Sequence, residues 1–179
     1  MSASLHVLAV VGSLQARSSN GALVKAIEPM LGPAIRLVRT RALHELPPFN
    51  PDNESENVPA SVLAWRAELA AAPAIILATP EYAFGIAGSL KNALDWVVGS
   101  GEFVGKPVAL LGASTMATGA GLALEALERT IRVMSAEVLT VLSVAHVRAK
   151  VDPEGNVIDE ETRAALASVA GKIVDRLTQ

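Results

Sequence analysis

Cysteine is absent from this chain of 179 residues, which excludes disulfides, thiolate nucleophiles and cysteine-ligated zinc. Aromatic residues amount to 3%, so any cluster of them stands out. Neither sign of charge dominates: a formal net charge of -3 with no block of like charges offers no general attraction to nucleic acid or to an anionic membrane. An anion bound here must be held by local geometry. Apolar runs are strand-sized, and residues 1–11 lack the basic start and cleavage pattern of a secretory signal. A cytoplasmic protein with no nucleic-acid or membrane partner is the expectation. Paired carboxylates and a Ser/His/Asp set are also missing. The isolated His6, His44 and His146 read as structural or solvated, so neither a metal site nor a side-chain catalyst is expected.

Hydrophobic residues make up 51% of the chain, enough for one sizeable core, and residues 1–179 are expected to form one domain. Short apolar runs alternate with helix-period segments. The runs are Leu5 to Val11, Ile35 to Val38, Ala74 to Ala78, Val108 to Leu111 and a last one within Val138 to Val147. Between them, Leu23, Ile27, Met30 and Leu31 share a helical face that Gly32-Pro33 ends, and Val62, Trp65 and Leu69 mark a second helix. Leu90, Ala93, Leu94 and Val97 give a third, Leu124, Leu127, Ile131 and Met134 a fourth. Leu166, Val169, Ile173 and Leu177 give a fifth, with Asp159 as its cap. Such alternation predicts an α/β three-layer sandwich, a five-stranded parallel sheet with helices on both faces. Right-handed crossovers and five strands allow several orders, of which the flavodoxin-like order 2-1-3-4-5 is the commonest with these parts. Ligands then sit beyond the carboxyl ends of strands one and three. The proline-rich stretch from Arg41 to Pro59 reads as a long surface loop, a length that is often functional.

Strand one is followed by "VGSLQARSSN" (residues 11–20), a turn of small and hydroxyl residues opening directly into a helix. Free backbone N–H groups and the helix dipole converge there, the geometry a phosphate needs. Ser13, Ser18, Ser19 and Asn20 add side-chain donors and Arg17 the nearby cation. The spacing fits neither G-x-x-x-x-G-K-[ST] nor G-x-G-x-x-G. The structural alternative is that Ser19 or Asn20 caps the helix and Gly12 permits the turn. Strand three is followed by "TPEYAFGIAGSLKNALDW" (residues 79–96). Pro80 biases Thr79 toward extended backbone, and Glu81, Tyr82 and Ala83 are expected to leave their N–H groups free for a flat heteroaromatic ring. Gly85 and Gly88 permit close approach, and Ser89 is a candidate cap. Tyr82 and Phe84 place aromatics in this loop; edge-of-core packing, and a solvated Glu81, are the alternatives. Strand four is followed by "GASTMATGAG" (residues 112–121), which puts Ser114, Thr115, Gly119 and Gly121 on the same rim. Trp96 lies off the apolar stripe of its helix, where an exposed indole would suit a subunit interface and core packing is the alternative.

"GSLQARSSN", "TPEYAFGIAGSLKNALDW" and "GKPVALLGAS", in this order, resemble the NADPH-dependent FMN reductase family, flavodoxin-like quinone, chromate and azo reductases. The resemblance implies that Ser13, Leu14, Gln15, Ala16, Arg17, Ser18, Ser19 and Asn20 hold the FMN phosphate. Pro80, Glu81, Tyr82, Ala83 and Phe84 would line the isoalloxazine, with Ser114 touching the flavin. It further implies NADPH or NADH as co-substrate, a small-molecule acceptor (quinone, free flavin, azo compound or metal oxyanion) and a homodimer or homotetramer. Members commonly have arginine at Gln15, asparagine at Ala83 and proline at Ala87, so Arg17 is the expected substitute cation. A flavodoxin-type FMN electron carrier that does not oxidise pyridine nucleotide is the alternative function. A third is an interaction protein that has lost the cofactor.

Overall fold

In the computed structural model, which describes residues 5–40 and 43–179, seven strands and five α-helices follow one another along the chain. The strands are β1 (Leu5–Val11), β2 (Ile35–Arg39), β3 (Ala74–Thr79), β4 (Glu81–Tyr82), β5 (Gly85–Ile86), β6 (Pro107–Ala113) and β7 (Glu137–Val144). The helices are α1 (Ser19–Ile27), α2 (Ala60–Ala71), α3 (Gly88–Asp95), α4 (Gly121–Val133) and α5 (Glu160–Thr178). The main sheet has the order β2-β1-β3-β6-β7, every pairing parallel. Leaving aside the small hairpin of β4 and β5, this is the expected order 2-1-3-4-5.

Sheet position explains strand composition. β3 and β6 lie inside the sheet and are buried at every residue, which only continuous apolar sequence such as Ala74–Ala78 tolerates. Alternate residues face opposite layers. Leu8, Val10, Ile75, Leu77, Val108 and Leu110 pack with α2, α3 and α4. Val7, Ala9, Ile76, Ala78, Ala109 and Leu111 pack with α1 and α5. The loops at the carboxyl ends of the strands therefore emerge between two helical layers.

Several local expectations change. Ser18, not Ser19 or Asn20, caps α1: its Oγ accepts from the Gly21 amide at 3.3 Å. α1 tightens into a 3-10 turn over Glu28–Leu31 and stops at Gly32, whose φ of 76° suits glycine. Asp159 caps α5 as expected, accepting from the Thr162 amide at 2.8 Å. The Thr162 hydroxyl and amide hold this carboxyl below the usual range, with Lys150 adding a smaller pull.

Ser89 does not cap α3. Ala87 stands at that position, and the Ser89 Oγ instead donates to the Gly12 carbonyl at 2.6 Å. Trp96 does not face a partner either. It is 1% exposed, donates from Nε1 to the Pro47 carbonyl at 2.8 Å, and meets Phe49 edge-on at 5.1 Å. Asn92 holds the same segment by accepting from the Phe49 amide at 2.8 Å and donating to the Pro47 carbonyl at 3.0 Å. The long loop is thus packed onto α3 and covers the indole that periodicity left outside the stripe. Arg41 and Ala42, where that loop was expected to start, lie outside the described residues. Asp95 pairs with Lys91 of its own helix at 2.6 Å.

Gly12 fixes the crossing of α3 over the end of β1. Its amide donates to the Ala78 carbonyl at 2.7 Å, and a Cβ placed on it would lie 2.9 Å from the Leu90 Cβ. We expect Gly12→Ala to lower stability by ~1–3 kcal/mol through overpacking, seen as a drop of several degrees in the melting midpoint. An unchanged midpoint would show that α3 is free to retreat.

Candidate functional site

Three loops meet at the carboxyl end of the sheet, and each is tied to the other two. The loop after β1 joins the loop after β3 through Gly12: its amide bonds Ala78 and its carbonyl accepts from Ser89. It joins the loop after β6 through Asn20, 2% exposed, whose side chain donates to the Ala113 carbonyl at 3.3 Å and accepts from the Ala113 amide at 2.9 Å. The second and third loops are joined by Glu81. Its carboxylate accepts from the Ala123 amide at 3.1 Å and from the Thr118 hydroxyl at 3.4 Å. Ala123 lies in the first turn of α4, whose capping position is occupied by Ala120 with no side-chain acceptor. Glu81 therefore supplies, from another loop, the anion that this helix end lacks.

The first loop is an anion cradle. Among the described residues from Ser13 to Asn20, only the Gln15 amide finds an acceptor within the protein, Ser13 Oγ at 3.4 Å. The Ser19 and Asn20 amides that open α1 are unpartnered, and the positive end of the helix dipole coincides with them. Ser13, Leu14, Gln15, Ala16, Arg17, Ser18 and Ser19 line one wall of a cleft of about 970 Å³. Arg17 is exposed on that wall and forms no hydrogen bond or ion pair with any described residue. Asn20 does not line the cleft; its amide group is held by Ala113, so it is placed to brace the loop.

The second loop is not open, as the sequence suggested. Glu81 pairs with Ile86 and Tyr82 with Gly85 in a two-residue antiparallel hairpin, and the Thr79 hydroxyl closes its base by accepting from the Ala87 amide at 3.2 Å. Ala83 and Phe84 form the tip with φ of 49° and 63°, the sign pattern of a type I′ turn, which Asn-Gly fills best. Pro80 is buried beneath the hairpin. Tyr82 is 50% and Phe84 74% exposed, and Met116 of the third loop is 65% exposed. These exposed apolar side chains, carried by the loops after β3 and β6, are the ledge of this end of the sheet. Ser114 starts the third loop, its Oγ accepting from the Met116 amide at 3.1 Å and its carbonyl accepting from the Val147 amide at 3.1 Å. Pro80, Glu81, Tyr82, Ala83, Phe84 and Ser114 thus follow β3 and β6 at this end of the sheet and do not line the cleft.

The remainder of the cleft lining was missed from sequence. That remainder includes Lys25 of α1, Arg39 and Thr40 at the end of β2, His44, Val147, Arg148, Val151 and Asp152 to Gly155. Asp152 organises the last segment by accepting from the Asn156 amide at 2.7 Å and from its side chain at 3.0 Å. Those hydrogen bonds hold the Asp152 carboxyl below the ordinary carboxylate range, the Asn156 amide contributing most. The only signal in the sequence was positional, since Arg39 closes a strand at the ligand-binding edge of the sheet. Among the described residues no group of three or more His, Asp or Glu is placed to hold a metal, and no helix is long and apolar enough to cross a membrane.

FMN fits this arrangement. Unpartnered amides and three hydroxyls suit its phosphate, and the ledge of aromatic and thioether side chains suits its ring. Backbone strain at the hairpin tip is separable from binding. Ala83→Asn, which adopts a left-handed conformation more readily than alanine, should raise the stability of the flavin-free protein by ~0.5–1 kcal/mol and its melting midpoint by roughly 2 °C. A lowered midpoint would show that Ala83 is not under strain.

Residues 5–150 match a family model described as NADPH-dependent FMN reductase. The chain is 31% identical over 167 residues to an NAD(P)H-dependent FMN reductase of Pseudomonas aeruginosa, an alignment covering 91% of this chain and 90% of that one. It is 30% identical over 169 residues to a quinone reductase of Escherichia coli, covering 90% and 89%. Among solved structures it resembles a flavoenzyme NAD(P)H:(acceptor) oxidoreductase from Paracoccus denitrificans, with a TM-score of 0.81, 28% identity and 97% of each chain covered.

Proposed function

The chain belongs to the NADPH-dependent FMN reductase family, and from that premise we propose that it passes electrons from a reduced pyridine nucleotide, through FMN held by its three tied loops, to a small oxidised acceptor. It is an enzyme that uses NAD(P)H and FMN. Quinones are the acceptor class with most support, because relatives covering most of the chain are named quinone reductases. Free flavin, azo compounds and metal oxyanions belong to the same reading. The single observation that carries it is that the unpartnered amides after β1 and the hairpin with exposed aromatics after β3 follow neighbouring parallel strands.

When bound, FMN supplies a ring that accepts a hydride and returns electrons to an acceptor. The protein's own part is binding, orientation and exclusion. The free amides from Ser13 to Ser19 and the hydroxyls of Ser13, Ser18 and Ser19 would hold the phosphate, with Arg17 balancing its charge in place of the arginine that Gln15 replaces. Pro80, Tyr82, Ala83 and Phe84 would flank the ring from one side and Ser114 from another. Glu81 keeps those two sides at a fixed separation through α4, so the site is formed before its ligand arrives. Its carboxylate is already occupied by Ala123 and Thr118, which argues against a proton-transfer role. The exposed Tyr82, Phe84 and Met116 leave one face of the ring for nicotinamide and acceptor in turn. They would also suit a second copy of the chain in a homodimer or homotetramer. A cytoplasmic location, where reduced pyridine nucleotide is supplied, fits this chemistry. The electron-carrier alternative has less support, since the family and the relatives are named for nicotinamide-dependent reduction.

The test is a visible spectrum of the purified protein followed by steady-state oxidation of NADPH and NADH with menadione. A yellow protein that consumes either nucleotide is expected; a flavin-loaded protein that consumes neither would favour the carrier. Arg17→Ala should weaken FMN binding ~10-fold, the loss of one charge-assisted contact, while riboflavin, which has no phosphate, binds as before. An equal loss for both ligands would place Arg17 elsewhere than at the phosphate.

A further inference from the structure

The cleft carries more positive charge than a single phosphate requires. Arg17, Lys25, Arg39 and Arg148 all line it, opposed by Asp152 and Glu154, in a chain whose net charge is -3. Arg17 stands with the amide cradle at the start of α1. Arg39 does not. Its guanidinium Nη2 donates to the Gly21 carbonyl at 3.4 Å, and helix carbonyls point away from the amino end. Arg39 therefore lies along the flank of α1, beside the cradle and outside it. Lys25 follows one turn further on the same helix, its Nζ donating to Asn156 Oδ1 at 3.3 Å. Both cations are exposed, and the contact Arg39 makes is long and to a neutral acceptor, leaving most of its donors free.

Their place relative to the ring site is set by the sheet. The ring loops follow β3 and β6, whereas Arg39 ends β2. Neighbouring strands lie ~4.8 Å apart, so two to three spacings put Arg39 ~10–14 Å along the rim from the ledge. A dinucleotide whose nicotinamide rests at the ring and whose body runs along the cleft would bring its adenosine end to this place. The unoccupied donors of a guanidinium there match a dianionic phosphomonoester. An arginine near the end of the second strand serves the 2′-phosphate in a different α/β dinucleotide fold for the same electrostatic reason.

We propose that Arg39, assisted by Lys25, forms a subsite for the 2′-phosphate of NADPH and so sets a preference for NADPH over NADH. This rests on the reading that the protein oxidises a pyridine nucleotide. Asp152 and Glu154 sharpen the discrimination: without the two cations, the cleft would repel a second phosphate.

The experiment compares the FMN-loaded wild type with Arg39→Gln in two assays. In steady-state kinetics with menadione, the substitution is expected to raise KM for NADPH ~10-fold, as for one lost charge-assisted contact, and to move KM for NADH less than twofold. In calorimetry, which needs no turnover, 2′,5′-ADP should bind the wild type and bind Arg39→Gln ~10-fold more weakly, with 5′-ADP indifferent to the change. Oxidation of both nucleotides with equal KM, or equal binding of 2′,5′-ADP by wild type and variant, would overturn the subsite and leave the reductase reading intact. Binding of 2′,5′-ADP through Arg39 by a protein that oxidises neither nucleotide would support the subsite and overturn the reductase reading. Lys25→Gln should show the same pattern at smaller amplitude.

Discussion

The site depends on a closed set of hydrogen bonds among three loops that lie far apart in sequence. Gly12 meets Ala78 and Ser89, Asn20 meets Ala113, and Glu81 meets Ala123 and Thr118. Each neutral bond contributes ~0.5–1.5 kcal/mol net, and those to the carboxylate ~1.5–3. Their larger consequence is geometric. These bonds join the ends of β1, β3 and β6 to the first turns of α1, α3 and α4. The two segments that flank the proposed ligand are therefore anchored at their bases, which lowers the ordering cost of binding.

Strain and exposure concentrate where the ties converge. Ala83 and Phe84 occupy the left-handed region at a hairpin tip, and Phe84 is the side chain most open to solvent there. Left-handed backbone costs ~1–2 kcal/mol for a residue other than glycine, and the stitched base around Thr79 and Ala87 holds it in place. A more relaxed tip is available by simple substitution, and the chain instead keeps an aromatic side chain raised at this end of the sheet.

The architecture was legible in the sequence because burial on both faces of a parallel sheet leaves little freedom. Continuous runs such as Ala74–Ala78 have no alternative home, and the commonest of the several strand orders that right-handed crossovers allow is the one observed. Helix stops at Gly32 and the cap at Asp159 were equally plain. What was hidden depended on contacts across the fold. Nothing local distinguishes a Ser89 that caps its own helix from one that reaches Gly12. Asn20 reads as a phosphate donor until β6 is seen beside it, and Trp96 looked exposed because periodicity describes one helix and not the loop that covers it. In the site, the cradle was legible as a run of small hydroxyl residues. The remainder of the cleft lining was not, since Arg39, Arg148 and the Asp152 turn carry no motif and converge only through topology.

The proposed reaction requires one FMN held between the amino end of α1 and the hairpin after β3. A crystal structure of the protein with FMN tests it most directly. We expect phosphate density against the amides between Ser13 and Ser19, and the ring beside Pro80, Tyr82 and Ala83 with Glu81 still bonded to α4. A phosphate bound elsewhere, or a ring lying away from the hairpin, would contradict it.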